Sequence, residues 1–219
     1  MDKNNIIRFF FPVKCMFCGD IITNGVLCEK CTTEIEKYKI NDKLTEINHS
    51  CFKNLDKCIS FYYYKDIIRE SLLYAKFKSC GRFLNGFIQC MPIDFKLFCK
   101  NNNIDFVVSM PAHKSKFYSR EYDLPQQMTR LISKTAGVEY NKKVIVKNKI
   151  TKNQHNLSLS DRKNNLKNAF VVTEQVKGKN ILLVDDIIST GYSLEEVAKC
   201  FKRSGANTVI AVTFAYNKI

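Results

Sequence analysis

The stretch NILLVDDIISTGYSLEE, residues 180–196, constrains the fold more than any other part of the chain. Residues 181–184 form an uninterrupted apolar run. Such a run suits a strand covered on both faces, the environment of a parallel sheet. The run then stops at two adjacent carboxylates, Asp185 and Asp186, and Ser189, Thr190, Gly191 and Ser193 follow. The strand is expected to end near Val184 and to deliver both carboxylates to a solvent-facing rim. Ser193-x-x-Glu196 has the form of a capping box. Leu194, Val197, Ala198 and Phe201 then make the inward stripe of a helix, with Gly205 as its C-terminal cap. In parallel α/β sheets, ligands bind beyond the carboxyl ends of the strands.

The residue types in this turn narrow the ligand. Gly191 would let backbone approach a ligand closely, and the turn around Tyr192 offers amides, hydroxyls and a helix dipole to one phosphate. Two carboxylates beside that cradle would repel the phosphate. They suit the hydroxyls of an attached sugar, directly or through a divalent cation. The turn therefore asks for a sugar phosphate with a diol. A turn Asp or a Ser cap taken singly fits any strand–turn–helix; the whole run is far more restrictive.

The rest of the chain supports an α/β reading. Residues 106–110, 143–147, 169–173 and 208–216 read as further strands, so the sheet should be largely parallel. Residues 65–78 read as a helix, with Ile68, Leu72 and Ala75 on one face. Residues 82–91 and 125–136 read as two more, the latter turning Met128, Leu131 and Ile132 inward. Residues 41–50 read as a linker, and the polar stretch 148–168 as a functional loop.

Ahead of the linker lies CMFCGDIITNGVLCEKC, which spaces Cys15 from Cys18 and Cys28 from Cys31 by the same C-x2-C turn. Two such knuckles offer four thiolates at tetrahedral geometry, a structural zinc site with no open position. Cys51, Cys58, Cys80, Cys90, Cys99 and Cys200 show no such spacing and read as ordinary small apolar residues.

The formal net charge of +14 favours phosphate-bearing partners, single-stranded DNA among them, although the lysines are dispersed. No apolar run approaches the roughly 18 residues of a spanning helix. The patch at residues 6–13 is short for a secretory signal and has no small-residue cleavage site after it. A cytoplasmic location with reduced cysteines is expected.

The run from Ile181 to Ser193 resembles the phosphoribosyl-diphosphate (PRPP) signature of type I phosphoribosyltransferases, with Ser189 and Ser193 keeping the hydroxyl where Thr is common. Nearly the whole chain is similar to the ComF family of competence-associated proteins. LLYAKFK (72–78) resembles that family's Leu-Lys-Phe segment, and SMPAHKSKFYSREYDLPQQM (109–128) its Val-Pro … Arg-Gly-Phe-Asn-Gln segment. KNKITKNQHNLSLSDRKNNLKNAF (147–170) resembles its Thr-x-x-Gln … Arg-x-x-Asn … Ala-Phe segment. Glu121 and Asp123 depart from its usual Gly and Asn, and Lys147 and Lys149 stand where Arg is frequent.

The resemblance implies a type I phosphoribosyltransferase fold at 46–219 behind a zinc module at 1–45. It implies a diphosphate loop at Pro111, Ala112, His113 and Lys114, with Arg120 adding charge. It also implies a hood over the site at 148–168 carrying Arg162, Lys152 and His155. The chemistry would be attack on C1 of PRPP with loss of diphosphate, Mg²⁺ accompanying the ligand. No acceptor-binding signature is evident. The first reading is a PRPP-binding protein that serves DNA uptake in natural transformation, beside a DNA-uptake helicase and other competence proteins. The second is a metabolic phosphoribosyltransferase acting on a nucleobase-like acceptor. The third is a non-catalytic zinc-containing adaptor for single-stranded DNA, which the intact carboxylate pair and hydroxyl turn disfavour.

Overall fold

The computed structural model describes residues 12–15, 17–40, 47, 50–78, 90–112, 123–148, 166 and 168–218. The helix expected at 82–91 lies almost wholly outside them, as do most of the linker and of the hood.

The core is a five-stranded sheet in the order β1-β7-β6-β2-β3, all neighbours parallel. Its strands are β1 (Lys57–Tyr63), β2 (Phe106–Ser109), β3 (Glu139–Tyr140), β6 (Asn180–Ile188) and β7 (Thr208–Tyr216). The apolar runs are buried on both faces, which is why they carry no polar alternation. Leu182, Val184, Ile210 and Val212 face one core, with Ile181, Leu183, Val209 and Ala211 facing the other. The first core is closed by α1 (Glu29–Glu36), α2 (Asp66–Lys78), α3 (Phe95–Asn101) and α4 (Leu124–Ala136). The second is closed by α5 (Tyr192–Arg203) and by an antiparallel ribbon of β4 (Ile145–Lys147) and β5 (Phe170–Val172).

Helix ends follow their sequence signals. Asp123 caps α4 by accepting the Gln126 N–H at 3.1 Å, and Gly137 (φ 69°) ends it. Gly205 (φ 89°) ends α5 in a Schellman arrangement: Ala206 N–H donates to Phe201 O and Gly205 N–H to Lys202 O.

Several expectations are corrected. Strands β4 and β5 stand outside the parallel sheet and pair with each other, Val146 opposite Val171. The strand expected to stop near Val184 runs on through both carboxylates to Ile188, because β7 extends alongside it. The capping box does not form: Gly191 is the N-cap of α5 and Tyr192 its first residue, which puts Ser193 inside the helix. Residues 57–63 receive no element from the sequence reading, yet their Ile59, Phe61, Tyr62 and Tyr63 are strand formers and make an edge strand.

Candidate functional site

Strand β2 continues through α4 to β3 on one side of the sheet, and β6 through α5 to β7 on the other. Helices α4 and α5 pack on opposite faces. The connections leaving β2 and β6 therefore diverge, and a crevice opens beyond the carboxyl ends of this strand pair. Met110 N–H donates to Val184 O at 2.8 Å, so Pro111 and Ala112 leave β2 directly abreast of Asp185. Ser109 Oγ and Tyr140 Oη, 2.9 Å apart, brace the end of β2. His113, Lys114, Arg120, Lys152, His155 and Arg162 lie outside the described residues.

The carboxylates are not on a solvent-facing rim. Asp186 is 7% exposed and Asp185 half-buried. Successive strand residues point to opposite faces. Asp186 accordingly reaches α2, where its Oδ2 lies 2.7 Å from Lys76 Nζ. Asp185 curls back, its Oδ1 accepting the Asp186 N–H at 2.9 Å. Burial first, then the Asp186 charge, holds the Asp185 carboxyl well above the usual carboxylate range. Burial alone would lower the Lys76 ammonium, but Asp186 and Asp185 outweigh it and push it up. Lys76 is the residue of this group that sequence reasoning missed. Its segment was noted, but nothing local in LLYAKFK says that its lysine meets a carboxylate on β6.

Ser189, Thr190, Gly191, Tyr192 and Ser193 form the turn from β6 into α5. The first helical amides have no partner within their own helix and point toward the crevice end of α5. A loop from before β1 closes the turn from behind. Cys51 Sγ donates to Thr190 O at 3.2 Å, and Phe52 packs against Gly191. A Cβ at Gly191 would meet Phe52 Cε1 at 2.6 Å and Cys51 Sγ at 3.2 Å, and Gly191 has φ +71°. The glycine is thus required by its own chain as well as suited to a ligand. Gly191→Ala is expected to lower stability by about 1–3 kcal/mol through backbone strain. Thermal melting measures it, and an unchanged midpoint would show that the Phe52 loop yields freely.

The same loop is held by Glu195, 8% exposed in the first turn of α5. Its carboxylate accepts the N–H groups of Lys53, Asn54 and Leu55 at 3.1–3.2 Å and Asn54 Nδ2 at 2.6 Å. Glu196, the expected capping-box partner, bonds Lys199 instead, at 3.0 Å.

At the other end of the chain, one candidate ligand atom from each of Cys15, Cys18, Cys28 and Cys31 lies within 4.8 Å of the others. Tetrahedral zinc with bonds of about 2.3 Å would set its sulfurs about 3.8 Å apart; Cys18 Sγ and Cys28 Sγ are 3.7 Å apart. Cys28 N–H donates to Cys15 Sγ and Cys31 N–H to Cys28 Sγ, both at 3.4 Å, which orients the sulfurs inward. Burial first, then the neighbouring thiols of Cys28, Cys15 and Cys18, pushes the Cys31 thiol up. The cluster fits a zinc ion.

A phosphoribosyl transferase domain model matches residues 118–219. The chain is 24% identical over 220 residues to competence protein F of Haemophilus influenzae, covering 91% of this chain and 95% of that one. It is 23% identical over 194 residues to competence protein ComFC of Bacillus subtilis, covering 87% and 72%. A stretch of 105 residues is 30% identical to the DNA utilization protein YhgH of Escherichia coli K12, 48% of this chain and 46% of that protein, so the match spans about half of the relative's length. Together with the five-stranded parallel sheet, these matches define a phosphoribosyltransferase-fold protein. With the four-cysteine cluster in front of that domain, the chain resembles competence protein F and ComFC over most of its length.

Proposed function

We infer that the chain binds PRPP at the carboxyl ends of β2 and β6. Asp185 and Asp186 take the ribose diol, and Ser189, Thr190, Gly191, Tyr192 and Ser193 hold the 5-phosphate. One observation supports this above the others: the carboxylate pair and the hydroxyl turn share one strand end at the sheet's switch point, beside the first residues of the β2 loop. Pro111, Ala112, His113 and Lys114 with Arg120 take the diphosphate on this reading, and Arg162 adds to it from the hood. Magnesium accompanies the ligand and neutralises diphosphate charge. Transfer from C1 to an acceptor is the reaction such a site would support.

The names of the competence and DNA-utilization relatives favour a role in DNA uptake or handling during natural transformation. The partners would be single-stranded DNA, a DNA-uptake helicase and other competence proteins. The net charge of +14 suits the first of these. Among the described residues no helix is long and apolar enough to cross a membrane; a cytoplasmic location fits the reduced thiols the site needs. Residues 1–45 would be the structural zinc module and 46–219 the phosphoribosyltransferase domain.

Calorimetric titration of Mg²⁺–PRPP tests the reading. Asp185→Asn is the cleaner variant, since it leaves the Lys76–Asp186 pair intact. Losing one charge-assisted hydrogen bond costs about 1.5–3 kcal/mol, so affinity is expected to fall at least tenfold. Equal affinity in variant and wild type would show the turn to be structural. Diphosphate release across a panel of nucleobase acceptors would then separate binding from turnover.

A further inference from the structure

Lys76 lies in the last turn of α2, outside the sequence run that signals the site. Its side chain is 24% exposed and that of its partner Asp186 9%, so the lysine is the more open of the two. An ammonium has three N–H donors. Among the described residues, Asp186 Oδ2, 2.7 Å away, takes one of them.

The position of that lysine relative to the phosphate cradle matters. The cradle opens α5, which packs on one face of the sheet. Helix α2 packs on the other face, with α4, and it is toward α4 that the chain leaves β2 through Pro111 and Ala112. The crevice thus has an anion-binding end on the α5 face, a carboxylate pair in the middle, and a lysine on the α2 face. A sugar bearing one anionic group would use the first end alone. A sugar with anionic groups at both ends would span all three.

We propose that Lys76 is a ligand-binding residue that donates to the diphosphate attached at C1 while its bond to Asp186 fixes the ammonium in place. This rests on the PRPP reading above. It deepens that reading by assigning discrimination between a sugar monophosphate and a sugar carrying a second anionic group to a residue outside the motif. The cation also explains how a highly anionic ligand can settle beside two carboxylates: across the described residues, Lys76 is the positive group acting on Asp185 and Asp186 together.

The test compares two ligands, PRPP and ribose 5-phosphate, each with Mg²⁺, titrated into wild type, Lys76→Gln and Lys76→Arg. Gln can still hydrogen-bond Asp186 but carries no charge. Lys76→Gln is expected to weaken PRPP at least tenfold and ribose 5-phosphate by less than about threefold, with Lys76→Arg restoring most of the PRPP affinity. Retained ribose 5-phosphate binding is the control for folding. Equal losses for both ligands, or no loss for either, would overturn the role of Lys76 while leaving the PRPP reading intact. Wild type that takes up neither ligand would overturn the PRPP reading and the role of Lys76 with it.

Discussion

Cys15→Ser protein is expected to emerge from purification without zinc and with residues 12–31 open to hydrogen exchange. The wild type should carry one zinc per chain. Apparent binding free energies for structural zinc are about 10–16 kcal/mol near neutral pH, and little else holds such a short knuckle together. Among the described residues, backbone support between the knuckles comes from a few bonds, such as Cys15 N–H to Asp20 O, Gly19 N–H to Cys15 O and Ile22 N–H to Val13 O. Helix α1 depends on the same site, since Cys28 is its N-cap and Cys28 Sγ accepts the Cys31 N–H. The damage should spread past the knuckles. Ile35 of α1 is 2% exposed in the core that also holds Ile59, Leu72 and Phe214, and Ile40 N–H bonds Phe61 O on β1. Freeing α1 would expose Ile35 at about 1.5–3 kcal/mol, so the parallel sheet should persist with a lowered melting point. Elemental analysis and exchange measurements decide it: zinc-free wild type with protected amides at 12–31 would sink the claim.

What could be read from the sequence divides along local and non-local lines. Strands β2, β6 and β7 were legible because burial on both faces leaves continuous apolar runs. Helix α4 was legible through its apolar spacing, and Pro125 sits in its first turn as such a start prefers. The ribbon of β4 and β5 was misplaced because a one-dimensional run of Val and Ile looks the same in a central strand and in a half-exposed hairpin. Val146 and Val171 are in fact 37% and 42% exposed. The end of β6 was misjudged for a different reason. Where a strand stops depends on its neighbour as well as on its own polarity. Strand β7 keeps pairing, Asp185 with Thr213 and Ile188 with Tyr216, so the carboxylates belong to the strand. That displacement moved them from the expected rim into the sheet, where Asp186 needs Lys76.

Glu195→Ala is expected to destabilise the protein by about 3–4 kcal/mol, well below the sum of its bonds because such terms are not additive. The local sequence suggested Glu196 instead, by capping-box spacing. The partners of Glu195 lie on residues 53–55, some 140 positions earlier, where no local pattern could point. Three consecutive N–H groups converging on one oxyanion make a nest of the kind that elsewhere binds ligands; here the protein's own carboxylate fills it. Glutamate also sits well in the first turn of α5, against the positive end of the helix. Alanine would leave those donors without an acceptor at a site where Leu55 is 7% exposed. Water can reach Lys53 more easily, which keeps the cost finite. Once released, the loop would no longer hold Cys51 on Thr190 O or Phe52 against Gly191, so the turn from β6 into α5 should loosen as well. Glu195→Gln keeps the shape and one carbonyl acceptor and should lose about half as much. Denaturant melts of the three proteins, with phosphate-ligand titration beside them, measure both effects. Equal stability of the alanine variant and wild type would show that the loop is held by the Phe52 packing alone, and the turn's geometry would then owe nothing to Glu195.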